Sequence, residues 1–159
     1  ETSRADEAFG AAVTLLRRGR VIGIYPEGSF TRDPDLWPMR GKTGAARLAL
    51  KTRAPVIPVA QWGAQDVVMP YARRLPRFLP RRTIHVHAGP AVDLSDLYGR
   101  EVTREVANEA TDRIMAAITA LLEEVRGESA PAVRFDPKAH GLPAIGRYDR
   151  TAARREARR

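Results

Sequence analysis

The stretch that decides the fold is VIGIYPEGSFTRD, residues 21–33. Its first five residues are almost all apolar, which is typical of a strand buried on both faces of a sheet. Pro26 ends this run, and Glu27 and Gly28 follow directly. Open α/β sheets bind ligands beyond the carboxyl ends of their strands. The stretch therefore predicts a buried strand that leads into a functional loop.

On both sides of this stretch, hydrophobic periodicity predicts further helices and strands. Their order is helix, strand, helix, strand, strand and helix, at residues 4–18, 21–25, 43–52, 56–60, 83–88 and 102–125. Residues 26–43 carry Pro, Gly and Asp at short intervals and are predicted to be a loop. Apolar strands between amphipathic helices indicate an α/β layered domain.

The charge of the chain divides it into two parts. Of its 159 residues, 27 are Lys or Arg and 19 are Asp or Glu, so the net charge is +8. Residues 1–126 hold 19 basic and 15 acidic residues, whereas the much shorter 127–159 holds 8 and 4. We predict a domain over 1–126 and a basic, Pro- and Arg-rich, mostly disordered tail over 127–159. Such a charge balance favours anionic partners.

Composition excludes several classes of function. The chain has no Cys, so disulfides, thiolate zinc sites and cysteine nucleophiles are excluded. No apolar run approaches the roughly 20 residues that a membrane-spanning helix needs. The first residues are acidic, without the apolar region of a signal peptide. The chain begins without Met, almost inside a helical pattern, and we expect that the start of the protein is missing.

The loop after the predicted strand carries groups suited to binding an anion. Ser29 and Thr31 offer hydroxyls, and Arg32 offers a planar guanidinium that fits phosphate. Lys42, within the stretch RGKTG at 40–44, adds a cation at the start of the second helix, where backbone N–H groups favour anions. A solvated loop with ordinary turn residues is the alternative. A nucleotide-binding P-loop is excluded, because Leu36 stands where that motif requires Gly.

Two ordered blocks resemble the glycerolipid acyltransferase family of 1-acyl-sn-glycerol-3-phosphate acyltransferases. Residues 25–31, YPEGSFT, are similar to its Phe/Tyr-Pro-Glu-Gly-Thr-Arg-Ser signature, and residues 54–59, APVIPV, to its later Val-Pro-Val block. The resemblance implies a mixed, mostly parallel sheet flanked by helices, as in glycerol-3-phosphate acyltransferase, here incomplete at the amino terminus. It also implies that the acceptor is bound by five residues: Glu27, Gly28, Ser29, Arg32 and Lys42.

The chain departs from the family pattern in two places. Phe30 stands where the family usually has Arg, and Arg32 and Lys42 are the candidate replacements for that cation. The family's catalytic block, a His followed after four residues by Asp, has no match, since Pro90, Val92 and Ile145 stand five positions after the three histidines. We therefore predict no catalytic residue in this chain and negligible transfer activity, with the general base upstream.

The resemblance implies a reaction and its partners. A fatty acyl group would pass from acyl-CoA or acyl carrier protein, a co-substrate and not a cofactor, to the hydroxyl of a lysophosphatidate-type acceptor. We expect the protein to bind peripherally at the cytoplasmic face of the membrane, and we expect no nucleic acid as its partner. The alternative is a non-enzymatic basic module that binds acidic lipid or nucleic acid. His85 and His87 share a strand face, but no third ligand accompanies them, so no metal site is predicted.

Residues 67–82, here called the arginine-rich segment, mix five Arg with Met, Tyr, Leu and Phe and contain no acid. This mixture suits an anionic membrane interface. It suits the phosphates of coenzyme A equally well. A basic surface loop whose apolar residues pack down onto the protein is the third interpretation.

Overall fold

Four α-helices, one short 3₁₀ helix and one pair of strands form the regular structure of residues 2–71 and 75–142, the part of the chain that this computed structural model describes. In chain order they are α1 (Thr2–Arg17), α2 (Gly44–Thr52), β1 (Val59–Trp62), α3 (Ala64–Val67), β2 (His85–Ala88), the 3₁₀ helix (Ser95–Leu97) and α4 (Arg104–Arg126).

The three predicted helices are confirmed within two residues at each end, and local signals explain α4 in particular. Its first turn is capped by the Thr103 side chain, which accepts a hydrogen bond from the Val106 N–H. It ends at Gly127, whose φ of +64° gives the left-handed cap that favours glycine. Both signals are local to the ends of the helix, which is why a helix predicted from local periodicity has nearly the observed limits.

The main core lies between α2, α4 and the turn that contains the 3₁₀ helix. Small residues such as Ala46 and Ala110 let the two helices approach closely, while Leu94 and Leu97 fill the space beside them. The buried members are Ala46, Ala49, Leu50, Leu94, Leu97, Val106, Ala110 and Ile114. This core fixes α2, and with it the loop that precedes α2.

The described sheet is a single antiparallel pair, with Val59 opposite Ala88 and Trp62 opposite His85. The mixture of helices and strands agrees with the predicted α/β class, but this pair does not confirm a mostly parallel sheet. The strand expected at 56–60 begins at Val59. Before it, Val56 and Pro58 still accept hydrogen bonds through their carbonyl oxygens from Val92 and Gly89, but Pro58 has no N–H to return.

The strand predicted at residues 21–25 is a wrong prediction for the described structure. This stretch forms no part of the described sheet, and Val21 and Tyr25 are 96% and 83% exposed. An apolar run favours extended backbone, but burial on both faces needs neighbouring strands and helices. The described part of the chain brings none of them alongside it.

The described residues after α4 pack back onto the domain without regular structure. The Arg40 N–H donates to the Phe135 carbonyl at 2.9 Å, and the Arg40 side chain pairs with Asp136 at 2.9 Å. Pro137 is buried there. The division at residue 126 and the disordered tail stay predictions, and residues 143–159 lie outside the described part. Among described residues, no helix is long and apolar enough to cross a membrane.

Both tryptophans of the chain stack on one arginine. The Arg126 guanidinium carbon lies 3.7 Å from the ring centre of Trp37 and 4.3 Å from that of Trp62. The same side chain donates to the Asp35 carbonyl at 2.9 Å and is only 8% exposed. It therefore joins three parts of the fold: the loop at Trp37, the strand β1 at Trp62 and the end of α4.

We expect Arg126→Ala to lower the free energy of unfolding by about 2 kcal/mol, because a desolvated cation between two aromatic faces is lost. Arg126→Lys should recover only part of this, since an ammonium cannot stack as a planar guanidinium does. Urea unfolding followed by tryptophan fluorescence measures both. Arg104→Ala, at the exposed start of the same helix, is the control, and an equal loss there would contradict the assignment.

Candidate functional site

The loop between residue 26 and α2 is closed by one backbone hydrogen bond, in which the Lys42 N–H donates to the Pro26 carbonyl at 2.8 Å. At its start, the Gly28 N–H donates to the Tyr25 carbonyl at 3.0 Å, which forms a tight turn. These two contacts bring the Glu27–Gly28 turn next to the residues that lead into α2. The two halves of the predicted site therefore lie together.

The middle of the loop is fixed by side chains that bond to its own backbone. The Thr31 hydroxyl donates to the Trp37 carbonyl at 2.7 Å. One carboxylate oxygen of Asp33 accepts from the N–H groups of Asp35 and Trp37, at 2.9 and 3.1 Å. Asp33 is itself buried. A loop of this length without regular structure needs such internal bonds, because its backbone groups have no helix or sheet partners.

Gly41 brings the end of the loop against α4. A Cβ atom at Gly41 would lie 2.8 Å from Cγ of Met115 and 3.0 Å from Cγ2 of Thr111. Met115 is fully buried, so it has little room to move. The glycine is therefore needed for close packing, and it sets the distance between the site and the core.

Glu27 is the titratable group with the clearest functional character. Its Oε2 accepts a hydrogen bond from the Met39 N–H at 2.9 Å. Burial raises the pKa of Glu27 to about 7, although that hydrogen bond and the charge of Arg134 lower it, and the charge of Asp33 raises it slightly. A carboxyl whose pKa lies near neutrality exchanges its proton readily, which is typical of functional sites.

Gly28 and Lys42 are in direct contact. Gly28 has a φ of +70°, and a Cβ atom there would lie 2.8 Å from Nζ of Lys42. The ammonium group thus lies over the bare backbone of the Glu-Gly turn, two residues before α2 begins. A side chain at residue 28 would push this ammonium aside, so the present position of the cation depends on the absence of a side chain there.

The remaining predicted site residues differ in their surroundings. The Ser29 hydroxyl is buried, and it has no hydrogen-bond partner among the described residues. Arg32 is only 1% exposed, and its guanidinium carbon lies 5.8 Å from the ring centre of Tyr71. It therefore lies inside the protein and not on the open face of the loop. Binding of substrate by these residues stays a prediction.

Sequence reasoning missed two long-range contacts of this loop. The Met39 N–H, which holds Glu27, is a backbone group with no signature in the sequence. Tyr71 donates a hydrogen bond from its hydroxyl to the Phe30 carbonyl at 2.9 Å, and the two rings meet edge to face at 6.1 Å. One sign of the second contact is present in the sequence: Phe30, an aromatic residue, stands where the similar family has Arg.

A cavity of about 190 Å³ adjoins the loop. It is lined by Asp33, Trp37 and Pro38 of the loop, by Thr119 of α4 and by residues 130–135. Arg134, which also lines it, is one of the charges that act on Glu27. No group of three or more metal-ligating side chains occurs in residues 2–71 and 75–142.

Comparisons with known proteins agree with the motif. The family model described as Acyltransferase matches residues 1–62. The 1-acyl-sn-glycerol-3-phosphate acyltransferase of Borreliella burgdorferi is 29% identical over 86 residues, which cover 54% of this chain and 32% of that protein. Proteins of the same name from Salmonella typhimurium and Salmonella typhi are each 30% identical over 129 residues, covering 80% of this chain and 49% of theirs.

The chain therefore spans a third to a half of the length of these curated relatives. No solved structure matches it. The matched region of the family model contains the Glu27–Gly28 turn, Lys42 and the loop that joins them.

We expect Gly28→Ala to lower the free energy of unfolding by about 1 kcal/mol, because a side chain is strained at positive φ, and to displace the Lys42 ammonium from the turn. Gly44→Ala is the matched control, since Gly44 begins α2 with open space around it. Urea unfolding of both variants measures the difference. Equal stability of the two would contradict the role given to Gly28.

We expect Glu27 to make the protein less stable as the pH rises from about 4.5 to about 7. Its pKa in the folded chain lies above the ordinary value of 4.5, so the unfolded chain releases the proton first. The contribution of Glu27 to the free energy of unfolding is therefore fully present below pH 4.5. It falls by roughly 3 kcal/mol as the pH rises to about 7, where the folded chain also ionises.

Glu27→Gln keeps an oxygen for the Met39 N–H and should remove this dependence. The measurement is the difference between wild type and variant in urea unfolding at several pH values. Two pH profiles that run parallel across this range would show that burial does not hold the proton on Glu27.

Proposed function

This chain belongs to the acyltransferase family, and from that premise we propose that it forms the acceptor-binding part of an enzyme of phospholipid synthesis. The reaction is transfer of a fatty acyl group from acyl-CoA or acyl carrier protein to the free hydroxyl of a lysophosphatidate. The relatives that carry the name of this activity support the proposal.

The observation that carries the proposal is the Lys42 ammonium above the backbone of Gly28. A cation beside a bare peptide turn and just before a helix of nine residues favours a bound phosphate, through both its own charge and the helix dipole. Lys42 is exposed, so a ligand can reach it. This lysine supplies the cation that the family usually has at the position of Phe30.

Glu27 and Ser29 would act on the rest of the acceptor. A carboxyl group with a pKa of about 7 can donate or accept a hydrogen bond at neutral pH, and the buried Ser29 hydroxyl has a bond still to make. Both lie within two positions of the phosphate-binding turn. Orientation of the acceptor hydroxyl by such groups is a large part of the rate enhancement in a two-substrate reaction.

The general base of the proposed reaction is a histidine outside these 159 residues, in a His-x4-Asp block. It removes the proton of the acceptor hydroxyl, and the oxygen attacks the thioester carbonyl. The carbon–sulfur bond breaks, and the released thiolate takes up a proton. In the complete enzyme, we propose, a mixed, mostly parallel sheet places this base beside Glu27.

The acceptor is an amphiphile, and this indicates where the enzyme acts. Lysophosphatidate partitions into bilayers, so an enzyme that acylates it has to reach the membrane surface. We propose peripheral binding at the cytoplasmic face of the membrane.

We expect the 159-residue chain to bind a short-chain, water-soluble lysophosphatidate while it transfers no acyl group from acyl-CoA. Lys42→Ala should weaken this binding about tenfold, which is the value of one charge-assisted hydrogen bond. Lys51→Ala, near the other end of α2, is the matched control and should bind as wild type does. Calorimetry measures binding, and release of free thiol measures transfer.

Three outcomes would count against the proposal. Transfer at the rate of a complete enzyme would show that the base is present in the chain. Equal affinity for lysophosphatidate and for an uncharged monoacylglycerol would show that the phosphate does not contribute to binding. Steeply salt-dependent DNA binding, with no affinity for lysophosphatidate, would favour a non-enzymatic basic module instead.

A further inference from the structure

The arginine-rich segment, residues 67–82, carries its apolar side chains in solvent. Leu75, Phe78 and Leu79 are 88%, 71% and 84% exposed, and Val68 and Met69 are exposed as well. Large apolar side chains that cluster on a surface mark a contact with another molecule or with a membrane. The interpretation in which these residues pack down onto the protein is therefore wrong.

The segment is also rich in cations. Arg77, Arg81 and Arg82 are exposed, and the sequence adds Arg73 and Arg74, with no acid between residues 67 and 82. An anionic partner is attracted by the charge, and an apolar partner by the leucines and Phe78. A bilayer that contains anionic lipid offers both at once, with phosphates above and acyl chains below.

Coenzyme A satisfies only half of this pattern. Its phosphates would explain the arginines, but its nucleotide is polar. Side chains that hold the fatty chain of an acyl-CoA would line a groove, whereas Leu75, Phe78 and Leu79 are 71–88% exposed. Aromatic and aliphatic side chains beside arginines are typical of proteins that lie in the interface of a bilayer. The combination therefore favours a lipid surface.

The segment is attached directly to the candidate site. The Val67 carbonyl accepts from the Arg77 N–H at 2.9 Å, which closes the segment into a loop. Within it, the hydroxyl of Tyr71 donates to the Phe30 carbonyl, and their rings meet edge to face. Phe30 is itself 70% exposed and follows Gly28 by two positions. An element that entered a bilayer would therefore hold the acceptor-binding turn at the same surface.

We propose that Phe30 and the described residues of the arginine-rich segment, 67–71 and 75–82, together form the bilayer-inserting surface of this protein, and that they dock it on anionic lipid with the Glu27–Gly28 turn at the interface. This inference deepens the proposed function and rests on it, because only an acceptor-binding role gives the Glu27–Gly28 turn a reason to lie at the membrane interface. Phe30, which stands where the similar family has Arg, is on this account a membrane contact.

The test is co-sedimentation of the 159-residue chain with vesicles that contain no lysophosphatidate. Vesicles of equal parts phosphatidylcholine and phosphatidylglycerol should bind it, and pure phosphatidylcholine vesicles should bind it at least tenfold more weakly. Arg81→Gln with Arg82→Gln should weaken binding roughly twentyfold at low salt and little at high salt, since these arginines act through screened charge.

Phe78→Ser with Leu79→Ser should weaken binding at least tenfold at either salt concentration, because this pair acts through apolar contact. Arg17→Gln with Arg20→Gln and, separately, Val133→Ser are matched controls, exposed positions outside the segment, and should bind as wild type does. A Phe78→Trp variant gives a direct readout: a tryptophan that enters the bilayer is quenched by lipids with brominated acyl chains.

The outcomes separate this inference from the proposed function. Binding that is equal on neutral and anionic vesicles, or unchanged in both double variants, would overturn the inference. So would a loss of coenzyme A binding in the arginine pair with vesicle binding intact. Soluble lysophosphatidate binding is measured apart from vesicles, so its failure would overturn the proposed function while vesicle binding still tested the docking surface.

Discussion

The stacking of Arg126 between Trp37 and Trp62 is the interaction on which the site depends. The loop before α2 has no regular structure, and its backbone is tied to the rest of the domain at few points. Trp37 joins it to Arg126, and thereby to the end of α4 and to β1. Because the cation is almost fully shielded from water, its attraction to the two rings is stronger than on an open surface.

The site itself combines two groups that are costly for the fold. Glu27 is partly buried with a raised pKa, and Gly28 has a backbone conformation that only glycine adopts without strain. The hydrogen bond from the Met39 N–H offsets part of the cost of burying the Glu27 carboxyl. The absence of a side chain at Gly28 removes the strain of its positive φ. Neighbouring costs of this kind are typical of functional sites, where the local arrangement serves a ligand more than stability.

The parts of the fold that the sequence predicts are those set by local signals. The limits of α4 follow from Thr103 and Gly127, and Gly28 and Lys42 belong to a turn and a helix start that a single loop joins. The pairing of β1 with β2 and the exposure of residues 21–25 depend on which strands lie alongside, which periodicity does not specify. The same holds for the contact of Met39 with Glu27.

Aromatic residues beside arginines occur in two different settings in this protein, one inside the fold and one on its surface. Trp37 and Trp62 face inward, where an arginine fills the space between them and holds the loop. Phe30 and Phe78 are exposed, and Phe78 directly follows Arg77, which stays in solvent. The inward cation is already paired with the Glu128 carboxylate at 2.6 Å, whereas the exposed arginines of the arginine-rich segment can meet a phosphate while the rings reach below it. Burial of the arginine, more than its presence, thus decides whether an aromatic–arginine cluster stabilises the fold or recognises a surface.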